Sequence, residues 1–88
     1  MASTLPTEVL QDELAVSLAH VLATANRRAG ESGVNIQQSL ITITQVSDEE
    51  PYWRVNYGPR NVINQRGGDF IVDVTARDAS VKRVLHGQ

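Results

Sequence analysis

The sequence predicts an α+β domain in which one long N-terminal helix packs on a curled antiparallel sheet of three to four strands, arranged as a meander. Three observations predict it. Residues 5–29 hold no helix breaker beyond Pro6 and set Leu10, Leu14, Leu18, Val21, Leu22, Ala25 and Ala29 on one stripe at 100° per residue. Residues 69–76 alternate instead with period two, Phe70, Val72, Val74 and Ala76 against Ile71, Asp73 and Thr75. The remaining extended segments are separated by turn-prone links, which favours neighbouring antiparallel strands. A hairpin alone is marginal in water, so the apolar face of the last strands needs the helix as its cover.

The helix comes first. Thr4 or Thr7 is placed to cap it, and Pro6 suits a first turn, where its missing N–H costs nothing. Glu8, Asp12 and Glu13 lie toward the positive end of the helix dipole and Arg27 and Arg28 toward the negative end. Gly30 and Gly33 end it. A helix of this length is about 36 Å long, whereas a six-residue strand spans about 20 Å. A flat sheet of such strands leaves helix uncovered, so the sheet is expected to curl round it, or a second copy to cover the remainder.

Strands are expected over about 36–46, 52–57, 69–76 and 81–86. In the first, Val34, Ile36 and Leu40 disagree in parity with Ile41 and Ile43, which calls for a bulge or bend near Gln38 and Ser39. In the second, Trp53, Val55 and Tyr57 share a face, with Trp53 as the expected core anchor and Arg54 and Asn56 opposite. In the third, Asp73 points outward, where Arg54 or Lys82 can pair with it; Ile71 and Val84 are expected beside it on that outer face. These features fit one domain over residues 1–88, and weak symmetric self-association through the surplus apolar area.

Composition narrows the function classes more than it identifies one. The chain has no cysteine, which excludes thiol catalysis, disulfides and thiolate metal sites. Its two histidines, His20 and His86, stand apart, so neither a metal site nor any other cofactor is expected. Asp48, Glu49 and Glu50 read as a solvated turn. No catalytic set has a specific spacing, and the chain is read as not an enzyme. No apolar run approaches a membrane span and no signal peptide is visible before the helix, which leaves the compartment open and only slightly favours the cytoplasm.

Charge is unevenly divided. Residues 1–50 carry Arg27 and Arg28 against seven carboxylates, while residues 51–88 carry six cations against Asp69, Asp73 and Asp78. An acidic helical half and a basic sheet half attract each other, within one fold or between copies. The candidate binding loop is the connector 58–68, where Arg60, Asn61, Asn64, Gln65 and Arg66 offer donors between Gly58-Pro59 and Gly67-Gly68.

One helix followed by a meander, with Trp53-x-Val55 in an early strand and Val74, Ala76 and Val81 in the closing hairpin, resembles the PepSY domain. The closing hairpin of that family reads Val-Asp-Ala-x-Thr-Gly-x-Val; here Thr75, Asp78 and Ala79 replace its Asp, Thr and Gly. The resemblance implies a cystatin-like helix gripped by a curled sheet, and a non-enzymatic module that binds or inhibits proteins, often peptidases, in the cell envelope or outside the cell. The leading reading is therefore a small non-catalytic protein-interaction module with an unknown protein partner. The alternative is a nucleic-acid-binding regulator using Arg54, Arg60, Arg66, Lys82 and Arg83. Clustering of these five on one surface favours the alternative; dispersal favours the protein module.

Overall fold

A computed structural model describes residues 6–59 and 69–86. Two helices, α1 (Thr7–Leu10) and α2 (Glu13–Glu31), precede a 3₁₀ turn (Ile36–Gln38) and four strands, β1 (Ser39–Val46), β2 (Tyr52–Pro59), β3 (Phe70–Thr75) and β4 (Val81–His86). The strands pair antiparallel in the order β1-β2-β3-β4, so every connection is to a neighbour and the sheet is an open meander. The α+β architecture with a helix on a four-stranded sheet is as the sequence predicts.

The helix differs in one respect. It is not continuous over 5–29, because Asp12 interrupts it: the Asp12 backbone is extended and its carboxylate accepts a hydrogen bond from the Ala15 N–H at 3.0 Å. A short acidic side chain competes for backbone donors and so starts a new helix rather than continuing the old one. Asp12, not Thr4 or Thr7, is the cap of the main helix, and α1 has no side-chain cap. At the other end α2 runs two residues past Ala29, and Gly33 then takes a φ of 89°, the left-handed region that favours glycine.

The parity conflict before β1 is resolved by the 3₁₀ turn, so the first strand begins at Ser39 rather than residue 36. Asn35 caps that turn through its side chain, which accepts from the Gln38 N–H at 3.3 Å. Strand β2 is longer than expected, to Pro59, and β3 is shorter, Phe70–Thr75. At Gly58 an added Cβ would sit 3.1 Å from the Asp69 carboxylate oxygen, so a larger residue there would push the Asp69 side chain aside by a few tenths of an ångström.

The core lies between α2 and the inner sheet face. Val21, Ala25 and Ala29 of the helix pack with Val55, Tyr57, Phe70, Val72 and Val74, flanked by half-buried Leu22, Ile41, Ile43, Trp53 and Val84. Helix α2 sits chiefly over β3. Trp53 is therefore a flank rather than the expected anchor, and the deepest aromatic is Tyr57, whose hydroxyl donates to Asn26 Oδ1 at 2.6 Å. Only the C-terminal half of the leucine-alanine stripe is buried. Leu18 is half-buried, and Leu10 and Leu14 are 58% and 59% exposed. The sheet ends before the helix does.

Burial of the Tyr57 phenol pushes its pKa up to about 12. The folded state thus holds the proton more tightly than the unfolded chain, whose phenol titrates near 10. This contribution is intact below about pH 10 and is lost as pH rises toward 12. Tyr57→Phe is expected to lower stability by about 1 kcal/mol at neutral pH through the lost hydrogen bond. It should also flatten the loss of stability above pH 10, which denaturant titrations across the alkaline range will measure.

Candidate functional site

The outer sheet face, opposite the helix, carries an ordered set of charges. In the register, Arg54 on β2 lies across from Asp73 on β3, which lies across from Arg83 on β4. Side chains two residues apart along a strand share a face, so this row is built directly by the pleat. Arg54 grips the carboxylate with two bonds, Nε to Oδ1 at 2.8 Å and Nη2 to Oδ2 at 2.9 Å, and Arg83 Nε reaches Oδ2 at 3.0 Å. Asp73 is 0% exposed, whereas the two arginine side chains remain 36% and 44% exposed. Its bond to the Asp73 carboxylate raises the Arg54 pKa above its ordinary value, against a smaller opposing effect of burial.

The pairing corrects two sequence expectations. Asp73 is not an exposed surface charge, because its two partners roof it. Its second partner is Arg83 rather than Lys82: the ladder slips between Asp73 and Val74, so Val74 opposes Val81 while Asp73 opposes Arg83. A bulge of one residue reverses which side chains face the core. Val84, expected outside, accordingly packs against the core, and Leu85 takes its place outside at 37% exposed.

The same bulge lets Lys82 and Arg83 both reach Tyr52. Lys82 Nζ stands 4.2 Å from the ring centroid, Arg83 Cζ 5.4 Å and Arg54 Cζ 5.8 Å. Such cation–π contacts attract through the ring quadrupole. Tyr52 is left only 7% exposed beneath its three cations. The next row holds Asn56, Ile71 and Leu85; Asn56 Nδ2 donates to Asp69 Oδ2 at 2.8 Å, and Asn56 Oδ1 is buried without a partner among the described residues.

Of the five cations named for the nucleic-acid alternative, Arg54, Lys82 and Arg83 come together here. Arg60 and Arg66 lie outside the described residues, as do Asn61, Asn64 and Gln65, so the candidate loop is not placed. Sequence reading missed Tyr52 as the hub. The available signal was its position: it starts the strand that carries Arg54, with the same parity, so it had to share the arginine's face.

The β3–β4 turn is the second well-built polar feature. The Thr75 hydroxyl donates to Asp78 Oδ1 at 2.5 Å, and the Ser80 hydroxyl and N–H donate to the same oxygen at 2.7 and 3.1 Å. The Thr75 bond above all, then those from Ser80, brings the Asp78 carboxyl down to about 2. A depressed carboxylate stabilises the fold above the unfolded value near 4, and the contribution is lost as pH falls toward 2. Asp78→Asn should therefore lower the melting temperature at pH 7 and leave it unchanged near pH 2. Ala79, next in the turn, has a φ of 57°.

Among the described residues no group of three or more His, Asp or Glu side chains is placed to hold a metal ion, and no helix is long and apolar enough to cross a membrane. Comparison with protein-family models, curated proteins and solved structures finds no match to this chain.

Proposed function

We propose that this chain is a non-catalytic protein-interaction module whose recognition surface is the outer sheet face, and that its partner presents acidic groups. The carrying observation is the row Arg54, Asp73, Arg83 with Lys82 above Tyr52. It is a preorganised cationic surface on a sheet face that no described element covers, in a chain whose net charge is −2. Guanidinium groups already oriented by Asp73 lose little freedom on meeting a second carboxylate, which favours planar recognition of acidic side chains. The exposed half of each arginine and the Lys82 ammonium are the groups available to do this.

Two further features support the reading. In the PepSY hairpin the residue corresponding to Ala79 is glycine, and Ala79 takes the left-handed conformation that glycine favours. The one main helix on an open four-stranded meander, with one sheet face left free, is compatible with the architecture that the resemblance implies.

The clustering of three cations round one tyrosine favours a second reading, binding of single-stranded nucleic acid. It fits less well. The ring of Tyr52 is covered by its three cations and only 7% exposed, so no face remains on which a base can stack. The test is capture from a cell extract with wild-type protein and Lys82→Glu, before and after nuclease treatment. A protein retained by wild type, lost with Lys82→Glu and indifferent to nuclease supports the protein module. Nuclease-sensitive recovery of nucleic acid supports the second reading instead.

A further inference from the structure

The acidic start of the helical layer and the cations of the outer sheet face lie on opposite sides of the sheet. The cations Arg54, Lys82 and Arg83 are on the sheet face turned away from α2, whereas Glu8, Asp12 and Glu13 are in the helical layer on the other side. Ser17, His20 and Val21 line a hollow with Ala76, Arg77, Asp78 and Ala79, so the helix crosses the end of the sheet at the β3–β4 turn. Before Ser17, the described leucines Leu10 and Leu14 are exposed, while Ala15 and Val16 are half-buried. Leu14 continues the stripe of Val21, Ala25 and Ala29 in α2 but is left exposed, as is Leu10 in α1 beyond the break at Asp12. Glu8 and Glu13 make no ion pair among the described residues, and neither does Lys82.

We propose that this exposed start of the helical layer seats on the outer face of a second copy of this chain, at Tyr52, Arg54, Lys82 and Arg83, in a reciprocal two-fold dimer. The proposal rests on reading that face as a recognition surface and names one occupant for it. Two sheets placed turn end to turn end about a two-fold axis, with their helices on opposite sides, lay the start of each helical layer across the outer face of the other sheet. The leucine stripe then points at that face. The described residues before Ser17 are the first turn of α2, about 6 Å long, and α1 beyond the break at Asp12, while the acceptor cations lie within three residues of the strand ends, about 10 Å from the turns. Leu10 and Leu14 meet Val46, the rim of Tyr52 and the aliphatic stems of the cations, while Glu8, Asp12 and Glu13 meet their charged heads. Such a contact is self-complementary, as a closed pair requires. The exposed carboxylates of Asp48, Glu49 and Glu50 border the same end and oppose close approach, which weakens the pair.

Lys82 is the chain's only lysine, which makes the contact directly readable. Carbodiimide joins a carboxylate to an amine it touches, so treating the full chain at about 100 µM should give a covalent dimer whose linked peptides join Lys82 to Glu8, Asp12 or Glu13. Sedimentation should show dimer at low ionic strength and a loss of it at about 0.5 M salt. Glu8→Arg/Glu13→Arg and Lys82→Glu should each weaken association at least about tenfold while keeping the wild-type circular dichroism, and an equimolar mixture of the two should restore a dimer. A strictly monomeric wild type, or a dimer linked through other residues, overturns the proposal. So does association indifferent to Lys82→Glu and to salt but lost with Leu14→Ser, which would assign the contact to the half-covered Ile41, Ile43 and Trp53 instead. A monomeric wild type that still loses a captured protein with Lys82→Glu removes the dimer and leaves the recognition face standing.

Discussion

Replacing Phe70 by alanine is expected to cost about 3–5 kcal/mol, most of the stability a domain of this size has. Phe70 is buried in the first residue of β3, with its ring 6.4 Å from Tyr57 and edge-on to His86 at 5.2 Å. It lies in register between those two residues, so one side chain ties β2, β3 and β4 on the inner face. The site has little room to collapse: Val72 and Val55, its neighbours in the core, are themselves fully buried, and the backbone positions of all three strands are fixed by their ladders. Truncation therefore leaves a cavity and also removes two aromatic contacts. Urea titration will measure the effect. A loss below about 1 kcal/mol would mean that β3 is not the centre of the core.

Asp73→Ala is the second large effect, on the opposite face. The carboxylate is fully buried, accepts two hydrogen bonds from Arg54 and forms an ion pair with Arg83. Removing one partner of a buried pair costs about 3–5 kcal/mol where the remaining charge is stranded. Here the arginines are more than one-third exposed and return to water, so the expected loss is smaller, about 2 kcal/mol. Arg54→Ala should cost less than Asp73→Ala because Arg83 still covers the carboxylate, and Arg83→Ala less again because it removes a single bond. A double-mutant cycle between Arg54 and Asp73 will isolate the pair. Coupling near zero would show the row to be decorative.

The fold was legible in the sequence wherever pattern and physics agreed. Val72 and Val74 alternate with Asp73, and the alternation is the sheet's two faces. Leu14 shows where legibility stopped: its spacing is that of a core residue, yet burial depends on where the sheet ends, which no local pattern records. By position in the sequence Asp12 is a charge favourable to the dipole, whereas in the fold its short side chain is the cap of α2. The outer-face cluster was half legible. Parity placed Asp73 and Arg54 together, but a bulge of one residue exchanged Lys82 for Arg83 and Val84 for Leu85, and single-residue slips leave no mark in composition. Arg60, Asn61, Asn64, Gln65 and Arg66, chosen because loops carry donors, lie outside the described residues, so the face that can be weighed is the one built on strands.

The central claim is that the outer sheet face reads acidic protein groups. The most direct measurement is a nitrogen-15 NMR titration of the chain with a glutamate-rich peptide, set beside an oligothymidine of equal charge and run at concentrations where the free protein is monomeric. Shift changes concentrated at Tyr52, Arg54, Lys82 and Arg83, with the peptide binding more tightly than the oligonucleotide, are the result predicted. Changes confined to the inner edge at Ile41 and Ile43, or no saturable change with either probe, would contradict it.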